Sequence, residues 1–265
     1  MEFQIKDSYD IADLVKVMEL LRSENGCPWD REQTHASIRK DLIEEAYETV
    51  EAIDCGSSEM LCEELGDLLM QVVFHSRIAQ EQQEFDFDDV ADGICKKLIL
   101  RHPHVFGDVK VSGSEQVLAN WDEIKKTEKG QSTATETLKS VPKVFPALMR
   151  SQKVQKRAAK TGFDYTDAEM AFGDLESEVA ELKQAMLNKD SENCFEELGD
   201  VLFSAVNVAR MLGIDSEESL KVSCDKFIDR FEKVEQLAAE NGVDMSSASL
   251  DSLNELWRKA KKAKK

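Results

Sequence analysis

The sequence contains few prolines, no closely spaced pair of cysteines and no long apolar run. Its four prolines are Pro28, Pro103, Pro142 and Pro146. The chain from Ala147 onward therefore contains no proline, the residue that breaks a helix interior most strongly. The six cysteines include no CxxC pair, so neither a zinc cage nor a redox motif is indicated, and we expect free thiols in a reducing compartment. No apolar run approaches the ~18 residues that a membrane helix needs.

Positively charged residues are outnumbered by acidic ones. The chain has 34 lysines and arginines against 53 aspartates and glutamates, which gives a formal net charge of -19. This balance disfavours broad affinity for nucleic-acid polymers or anionic membranes. The segment MEFQIKDSYD at the start is polar where a secretion signal would be basic and then apolar, so we expect a cytoplasmic protein with no membrane partner.

Apolar residues recur at helical spacing along most of the chain, and alternating strand patterns are not evident. Leu175, Val179, Leu182 and Met186 form one such helical stripe. The sequence therefore predicts an all-α protein. The predicted helices lie near residues 9–25, 35–54, 57–82, 88–101, 114–128, 145–160, 168–188, 191–212, 215–241 and 249–263.

Two similar segments divide the chain into halves. EELGDLLMQVVF begins at Glu63 and EELGDVLFSAVN begins at Glu196, an offset of 133 residues that is too long for a solenoid repeat and indicates a duplicated domain. The stretch TEKGQSTATETLKS between them is polar and not periodic, as a linker would be. We expect an N-terminal helical domain over residues 1–126, a linker over 127–140 and a C-terminal helical domain over 141–265.

Acidic side chains border the apolar stripes of the helices in both halves. A helix turns about 100° per residue, so Glu178 and Glu181 fall beside the stripe that starts at Leu175. An isolated acidic pair is usually a solvated face, but the same placement occurs twice, and crowded carboxylates favour bound cations. An all-oxygen ligand set favours Mg²⁺ or Mn²⁺. Antiparallel packing would gather Glu45, Glu48, Glu64 and Asp67 in the first half, and Glu178, Glu181, Glu197 and Asp200 in the second.

Basic and aromatic residues repeat in the same order after the acidic segments. The pairs are Lys97 with Arg101 and Lys226 with Arg230, then Trp121 with Lys125 and Trp257 with Lys261. Near a metal site these cations would bind phosphates, although an isolated pair is more often an ion pair. The tryptophans would lie in a core or stack on a base. Gly66 and Gly199 recur inside helices, where glycine is unfavourable, which indicates a tight contact between helices.

Together these motifs resemble the MazG nucleoside triphosphate pyrophosphohydrolases, a family of the all-α NTP pyrophosphatase superfamily whose signature is EExxE followed by ExxD. The resemblance covers nearly the whole chain and includes NGCPWDREQTH from Asn25, RHPHVFGD from Arg101 and QKRAAKTGFD from Gln155. The second copy departs from the signature because Ser177 stands where the first copy has Glu44. Position 177 points away from the apolar stripe, so we expect an indirect effect on the metal ligands at most.

The resemblance implies a homodimer that converts an NTP or dNTP and water to a nucleoside monophosphate and diphosphate with Mg²⁺, or with Mn²⁺ as a substitute. It implies metal ligation by both sets of four carboxylates. We hypothesise that one carboxylate of the second set orients the attacking water; Glu178 is our candidate, although the sequence does not choose among the four. It also implies substrate binding by Lys226, Arg230, Trp257 and Lys261 and by their counterparts Lys97, Arg101, Trp121 and Lys125. In two-domain relatives the second domain is typically the active one. The alternatives are an enzyme that cuts elsewhere or accepts one nucleotide, and a helical scaffold or nucleotide sensor without turnover.

Overall fold

The computed structural model describes residues 3–128 and 133–262, and within these ranges the chain is helical and contains no strand. The predicted all-α fold is therefore confirmed. The helices are α1 (Ile11–Leu21), α2 (Pro28–Glu32), α3 (Arg39–Cys55), α4 (Ser58–Glu81), α5 (Phe87–Arg101), α6 (Pro103–Phe106), α7 (Ser114–Glu128), α8 (Ala134–Lys139), α9 (Ala147–Ala159), α10 (Ala168–Asn188), α11 (Ser191–Met211), α12 (Ser216–Glu240) and α13 (Leu250–Lys262). None of the described helices is long and apolar enough to cross a membrane.

The chain divides into two compact units, Met1–Ile124 and Lys125–Lys265. The polar segment 127–140 between the repeats holds a helix, α8, that its composition did not predict. Thr133 accepts a hydrogen bond from the backbone of Glu136, and the Glu136 carboxylate accepts one from the backbone of Thr133. This reciprocal cap satisfies amides that a short helix otherwise leaves unpaired. Residues 129–132 of the segment lie outside the described residues.

In the first unit, α3 and α4 form a helical hairpin, and both α1 and α5 pack against α4. Methionine, isoleucine, valine and phenylalanine side chains fill the core between them. The buried members are Met18, Ile38, Val73, Phe74 and Ile78. The core therefore lies beside the C-terminal half of α4 and fixes the hairpin against α1.

The second unit repeats this hairpin with α10 and α11, and α9 packs against α11. Helices α12 and α13 pack against each other around a separate small core. Its buried members are Val234, Ala238, Leu256 and Ala260. Helix α9 also contacts α12, so it connects the hairpin to the α12–α13 pair.

A short turn joins the two helices of each hairpin. Gly56 ends α3 in the left-handed region at φ 67°, and the Ser57 side chain caps α4 by accepting from the backbone of Met60. Lys189 takes the same left-handed role after α10, at φ 54°, and Asp190 caps α11. Left-handed residues commonly terminate helices, and turns this short make the following helix antiparallel.

Two short helices begin at prolines and were not among those predicted. Pro28 is the first residue of α2, and Pro103 is the first residue of α6. Proline lacks an amide hydrogen and has a φ suited to the first helical position, where no hydrogen-bond donor is needed. These prolines therefore start helices rather than only ending them.

The apolar stripes of the hairpins are less buried than the sequence suggests. Val50 and Ile53 on α3, and Val179 and Met186 on α10, are exposed. The repeated glycines also do not lie at a tight contact, because a methyl group added at Gly66 or Gly199 would meet no atom within 4 Å. The expectation of tight helix contact at these glycines is wrong for the chain by itself.

Candidate active site

Three carboxylates meet where α3 faces α4 in the first unit. Oxygens of Glu45, Glu48 and Glu64 lie within 4.8 Å of one another. The buried Thr49 hydroxyl donates to the backbone oxygen of Glu45, at 2.8 Å, and lies 3.4 Å from the backbone oxygen of Glu64. This residue therefore ties the two helices together beside the carboxylates.

A matching group forms where α10 faces α11 in the second unit. Oxygens of Glu178, Glu197 and Asp200 lie within 4.8 Å of one another. The hairpin geometry thus brings together three of the four carboxylates predicted in each half. The two groups share two motif positions, Glu45 with Glu178 and Glu64 with Glu197, and differ in the third member, which is Glu48 in the first unit and Asp200 in the second.

The fourth carboxylate of each set acts electrostatically without joining the group. Asp67 contributes to the raised pKa of Glu45, and Glu181 contributes to the raised pKa of Glu178. The Glu181 carboxylate accepts a hydrogen bond from the Ser177 hydroxyl at 3.2 Å. Ser177 thus contacts one member of the predicted ligand set, which agrees with the indirect effect expected from its position.

Burial and mutual repulsion shift the titration of both groups. Partial burial, followed by the neighbouring carboxylates, raises the pKa of Glu178 and of Glu197. The same two causes raise the pKa of Glu45 and of Glu64. The neighbouring charges that raise the pKa of these four carboxyls all come from aspartates and glutamates. The carboxylates of each cluster therefore repel one another, and a bound cation would balance their charge.

These observations test whether a metal ion suits the residues. Each group supplies carboxylate oxygens from two helices, close enough together to share one ion. The raised pKa values show that the charged form is disfavoured as the side chains stand, and a divalent cation would remove that penalty. The residues therefore fit a hard divalent cation that prefers oxygen ligands.

The predicted phosphate-binding residues of the second unit lie on α12 and α13. Lys226 and Lys261 are exposed, and neither contributes to the pKa shifts of the carboxylates. Trp257 packs against the α12–α13 core, with its ring centroid 5.1 Å from that of Phe227. The Nε atom of Arg230 is buried with no hydrogen-bond partner. The structure thus places Trp257 partly in a core, and the role of all four residues in binding stays a prediction.

Their counterparts in the first part of the chain lie on α5 and α7. Lys97 is exposed on α5, and Arg101 is the last residue of that helix. The Trp121 ring on α7 meets the ring of His102 edge to face at 4.9 Å, and Lys125 follows one turn later. His102 donates to the Leu98 carbonyl from Nδ1 at 2.6 Å. Here too the substrate-binding role stays a prediction.

The second unit contains a cavity of about 540 Å³ that was not predicted from the sequence. It lies among α9, α10, α11 and the segment between α9 and α10, so no single motif outlines it. Gln155, Tyr165 and Asn207 line it, together with apolar side chains. The only earlier signal was the motif QKRAAKTGFD, which begins at Gln155 and ends at Asp164.

A histidine pair in the first unit was also missed. The Nδ1 atoms of His35 and His75 are 2.7 Å apart, and their rings are stacked with an interplanar angle of 2°. Burial, followed by the charge of His35, lowers the pKa of His75. The two histidines are 40 residues apart in the sequence, so no local pattern predicts their contact.

The fold and the acidic groups define a class: an all-helical protein with two carboxylate centres suited to divalent cations. Residues 33–106 and 169–235 match the MazG nucleotide pyrophosphohydrolase domain, and both matched segments contain a complete set of four carboxylates. The chain belongs to the MazG family, with its characteristic domain present twice.

Similar proteins extend over almost the full length. The chain is 44% identical over 249 residues to the nucleoside triphosphate pyrophosphohydrolase/pyrophosphatase MazG of Thermotoga maritima, covering 94% of each. It is 42% identical over 257 residues to the nucleoside triphosphate pyrophosphohydrolase of Escherichia coli K12, covering 95% of this chain and 97% of the relative. It is also 43% identical over 258 residues to the protein YabN of Bacillus subtilis, covering 97% of this chain and 53% of that longer relative.

Proposed function

We propose that this protein is a nucleoside triphosphate pyrophosphohydrolase that converts an NTP or dNTP and water to a nucleoside monophosphate and diphosphate. The observation that carries the proposal is the cluster of three carboxylates from Glu178, Glu197 and Asp200. It lies on a hairpin inside a matched MazG segment. Relatives that align over nearly the whole chain are named for this activity.

The proposed cofactor is Mg²⁺, with Mn²⁺ as a substitute, because the ligands are carboxylate oxygens. In the second unit it would be held by Glu178, Glu181, Glu197 and Asp200, and in the first by Glu45, Glu48, Glu64 and Asp67. When bound, the ion neutralises negative charge on the triphosphate and makes a coordinated water more acidic. Without such an ion, the carboxylates would repel a substrate that is itself strongly negative.

The protein's own groups have separate proposed roles. Glu178 is partly buried and lies in the cluster with Glu197 and Asp200. A carboxylate at this place can accept a hydrogen bond from water, so Glu178 is the proposed group that orients the attacking water. Attack at the α-phosphorus breaks the bond between the α- and β-phosphates and releases diphosphate.

Cationic side chains are proposed to hold the phosphates that the carboxylates cannot. Lys226 and Arg230 lie one turn apart on α12, and Lys261 lies one turn after Trp257 on α13. The buried Nε of Arg230 has no hydrogen-bond partner, which is unfavourable unless a ligand oxygen or water accepts from it. Lys97, Arg101 and Lys125 are proposed for the equivalent role in the first half, and Trp257 and its counterpart Trp121 are proposed as further substrate contacts.

We also propose that the functional form is a homodimer. Hairpin residues Phe195, Leu198 and Leu202 on α11 are exposed, as are Val179 and Met186 on α10. Soluble monomers seldom leave so many neighbouring apolar side chains in water. A second copy would cover these faces, and an analytical ultracentrifugation run over a range of concentrations would detect it. A monomer at all concentrations would overturn this part of the proposal.

The domain limits and the cellular location complete the proposal. The proposed domains cover residues 1–126 and 141–265 and are joined through 127–140; the presence of two compact units and of two matched segments supports the duplication. The six cysteines are all free thiols, which suits the cytoplasm.

The test is incubation of the purified protein with Mg²⁺ and a panel of ribo- and deoxynucleoside triphosphates, with all phosphate products separated. The expected products are the nucleoside monophosphate and diphosphate. Release of orthophosphate would mean a different cleavage site. Binding of nucleotide and Mg²⁺ without turnover would support the sensor alternative instead.

Substitutions assign the activity to the units. Glu197→Gln should abolish turnover at saturating Mg²⁺ if the second unit is active, and Glu64→Gln is the matched change in the first unit. Unchanged turnover in Glu197→Gln would contradict the metal centre proposed for α10 and α11. Unchanged turnover in Glu64→Gln would leave the first unit a structural or regulatory role.

A further inference from the structure

The cavity in the second unit has mostly apolar walls. Its volume is about 540 Å³, and side chains of Val154, Ala158, Phe163, Met170 and Phe203 form much of its lining. Binding sites for small organic molecules usually have this character, with a few polar groups that set orientation. A flat heteroaromatic ring would bury its faces against such walls.

Most of the polar groups around the cavity already have partners. Arg210 forms a two-pronged ion pair with Asp164, and its Nε donates to Asn207 Oδ1 at 2.8 Å. The Tyr165 hydroxyl donates to Asp174 at 2.5 Å. These contacts fix the orientation of the polar side chains in the walls.

Gln155 is the exception among these lining groups. Its Nε2 donates to the Phe203 backbone oxygen at 2.8 Å, which fixes the orientation of the amide. Its Oε1 is buried and has no partner, and only 5% of the residue is exposed. A buried acceptor without a donor is unfavourable, and a ligand that brings an N–H group would remove that cost.

The cavity adjoins the carboxylate centre. Asp174, which lines it, precedes Glu178 by four residues on α10, one helical turn away. Asp174 contributes to the raised pKa of Glu178, and Glu178 to that of Tyr165, which also lines the cavity. A nucleotide with its phosphates at the carboxylates would therefore have its base within reach of the cavity.

We propose that this cavity binds the nucleobase of the substrate and that Gln155 Oε1 accepts a hydrogen bond from a base N–H. The inference rests on the proposed triphosphate substrate. Adenine and cytosine offer an exocyclic amino group, guanine offers N1–H and its amino group, and uracil and thymine offer N3–H. A single acceptor of this kind selects for a base N–H while admitting every common base, which suits a broad nucleotide substrate range.

The first unit has a different residue at the matching place. Asn207 ends the segment EELGDVLFSAVN, and Phe74 ends the equivalent segment EELGDLLMQVVF. Phe74 is only 3% exposed, packs in the core with Met18 and Ile38, and has the Arg22 guanidinium 5.3 Å from its ring centroid. An aromatic side chain of the protein thus occupies the position that borders the cavity in the second unit.

Analogues that lack the base N–H test the proposal. Purine riboside triphosphate is ATP without the amino group, and zebularine triphosphate is CTP without it, so neither base has an N–H. We expect wild-type protein to prefer ATP and CTP over these analogues by about 3- to 10-fold in kcat/KM, the usual effect of one hydrogen bond. Gln155→Met should bring both ratios close to one. The ratios do not depend on how much of the variant is folded.

The matched control is Gln152→Met, one turn earlier on α9. Gln152 has partners for both ends of its amide, because Nε2 donates to the Ile214 carbonyl and Oε1 accepts from Ser216. This variant should keep the wild-type ratios. Equal kcat/KM for ATP and its analogue in the wild type, or an unchanged ratio in Gln155→Met, would overturn the assignment of Gln155.

A second variant tests the cavity if Gln155→Met does not fold. Asn207→Phe places the residue of the first unit beside the cavity and should raise KM for all triphosphates at least about tenfold, since a phenyl group would fill space proposed for the base. Unchanged KM would overturn the cavity assignment.

Binding without phosphates separates this inference from the proposed function. Calorimetric titration with adenosine and with purine riboside needs neither metal nor turnover. Tighter binding of adenosine to the wild type, lost in Gln155→Met, would support the base site even if no triphosphate were hydrolysed. Triphosphate hydrolysis without any preference for adenosine would overturn the base site alone.

Discussion

The Ser177 hydroxyl donates a hydrogen bond to the Glu181 carboxylate, one turn later on α10. The first unit has Glu44 at the position of Ser177 and Glu48 at the position of Glu181. The second unit therefore replaces a like-charged neighbour with a hydrogen-bond donor. This contact fixes the orientation of one proposed metal ligand and removes a source of repulsion beside it.

The first prediction concerns this contact. Ser177→Ala should weaken Mg²⁺ binding by up to about tenfold, as loss of a partner that orients a metal ligand often does. The Mg²⁺ concentration for half-maximal activity should rise, while kcat at saturating Mg²⁺ changes little. Ser177→Thr keeps a hydroxyl and serves as the control. An identical Mg²⁺ dependence in all three proteins would contradict an orienting role.

The second prediction separates stability from activity. Partial burial and neighbouring carboxylates raise the pKa of Glu178, so its charged form destabilises the folded state at neutral pH. In metal-free buffer, Glu178→Gln should therefore raise the melting temperature. With Mg²⁺ the same change should lower kcat/KM by more than about 100-fold. Loss of a residue that only supports a metal ligand typically costs ~10- to 100-fold, and Glu178 is a proposed ligand itself.

The exposed Glu176, two residues earlier on α10, provides the control for this change. Glu176→Gln should leave both the melting temperature and the activity close to wild type. A lower metal-free melting temperature in Glu178→Gln would mean that its carboxylate stabilises the fold. Differential scanning calorimetry in EDTA measures the melting temperature, and a steady-state assay with Mg²⁺ measures kcat/KM.

The third prediction concerns pH and the His35–His75 pair. Burial and the charge of His35 hold the pKa of His75 below its ordinary value of 6.5, so the unfolded chain binds a proton here more readily than the folded one. Stability should therefore fall as pH drops below about 6.5. Val208 stands at the matching position of the second unit, so His75→Val is the natural substitution. It should make the urea midpoint less dependent on pH between about 7.5 and 5.5.

A control for the histidine effect is His102→Gln, since His102 lies away from the pair at the end of α5. That variant should keep the wild-type pH dependence. The pair would have no role in acid sensitivity if His75→Val lost stability with falling pH as steeply as the wild type.

The fourth prediction uses the repeated glycines. A methyl group at Gly199 would meet no atom within 4 Å, and alanine favours a helix over glycine by about 1 kcal/mol. Gly199→Ala should therefore raise the free energy of unfolding by about that amount, and Gly66→Ala should act alike in the first unit. Urea titration gives the value. A loss of stability would show that another chain approaches the glycine in solution.

The hairpin carrying the second carboxylate group was predictable almost to the residue. The range 168–188 was predicted and Ala168–Asn188 is observed, because Asp167 and Asp190 cap α10 and α11 and apolar residues recur between them. The short helices α2, α6 and α8 were not predicted. Two begin at a proline, which is unfavourable inside a helix but suits its first position, and α8 has a T-x-x-E capping pattern in a segment without apolar periodicity.

The carboxylates were found from sequence because their spacing repeats twice on helices that adjoin in the chain. Burial was harder, since Val179 and Met186 look like core residues by periodicity yet are exposed in a single chain. Periodicity identifies an apolar face but not what covers it. The environment of Gln155 could not be predicted from the sequence for a related reason. Its partner Phe203 is 48 residues away, and an unpaired oxygen is defined only by the packing of separate helices.

The brief turns at Gly56 and Lys189 make each acidic centre a local product of its own stretch of chain. Glu45 and Glu64, or Glu178 and Glu197, are joined by only one hairpin, so little loop-closure entropy opposes their meeting. A centre with such low contact order can be copied intact when its segment is duplicated. The walls around it come from more distant helices, and they remain free to diverge. One ancestral hairpin can thus keep the same acidic chemistry in both copies while Phe74 and Asn207 give it different surroundings.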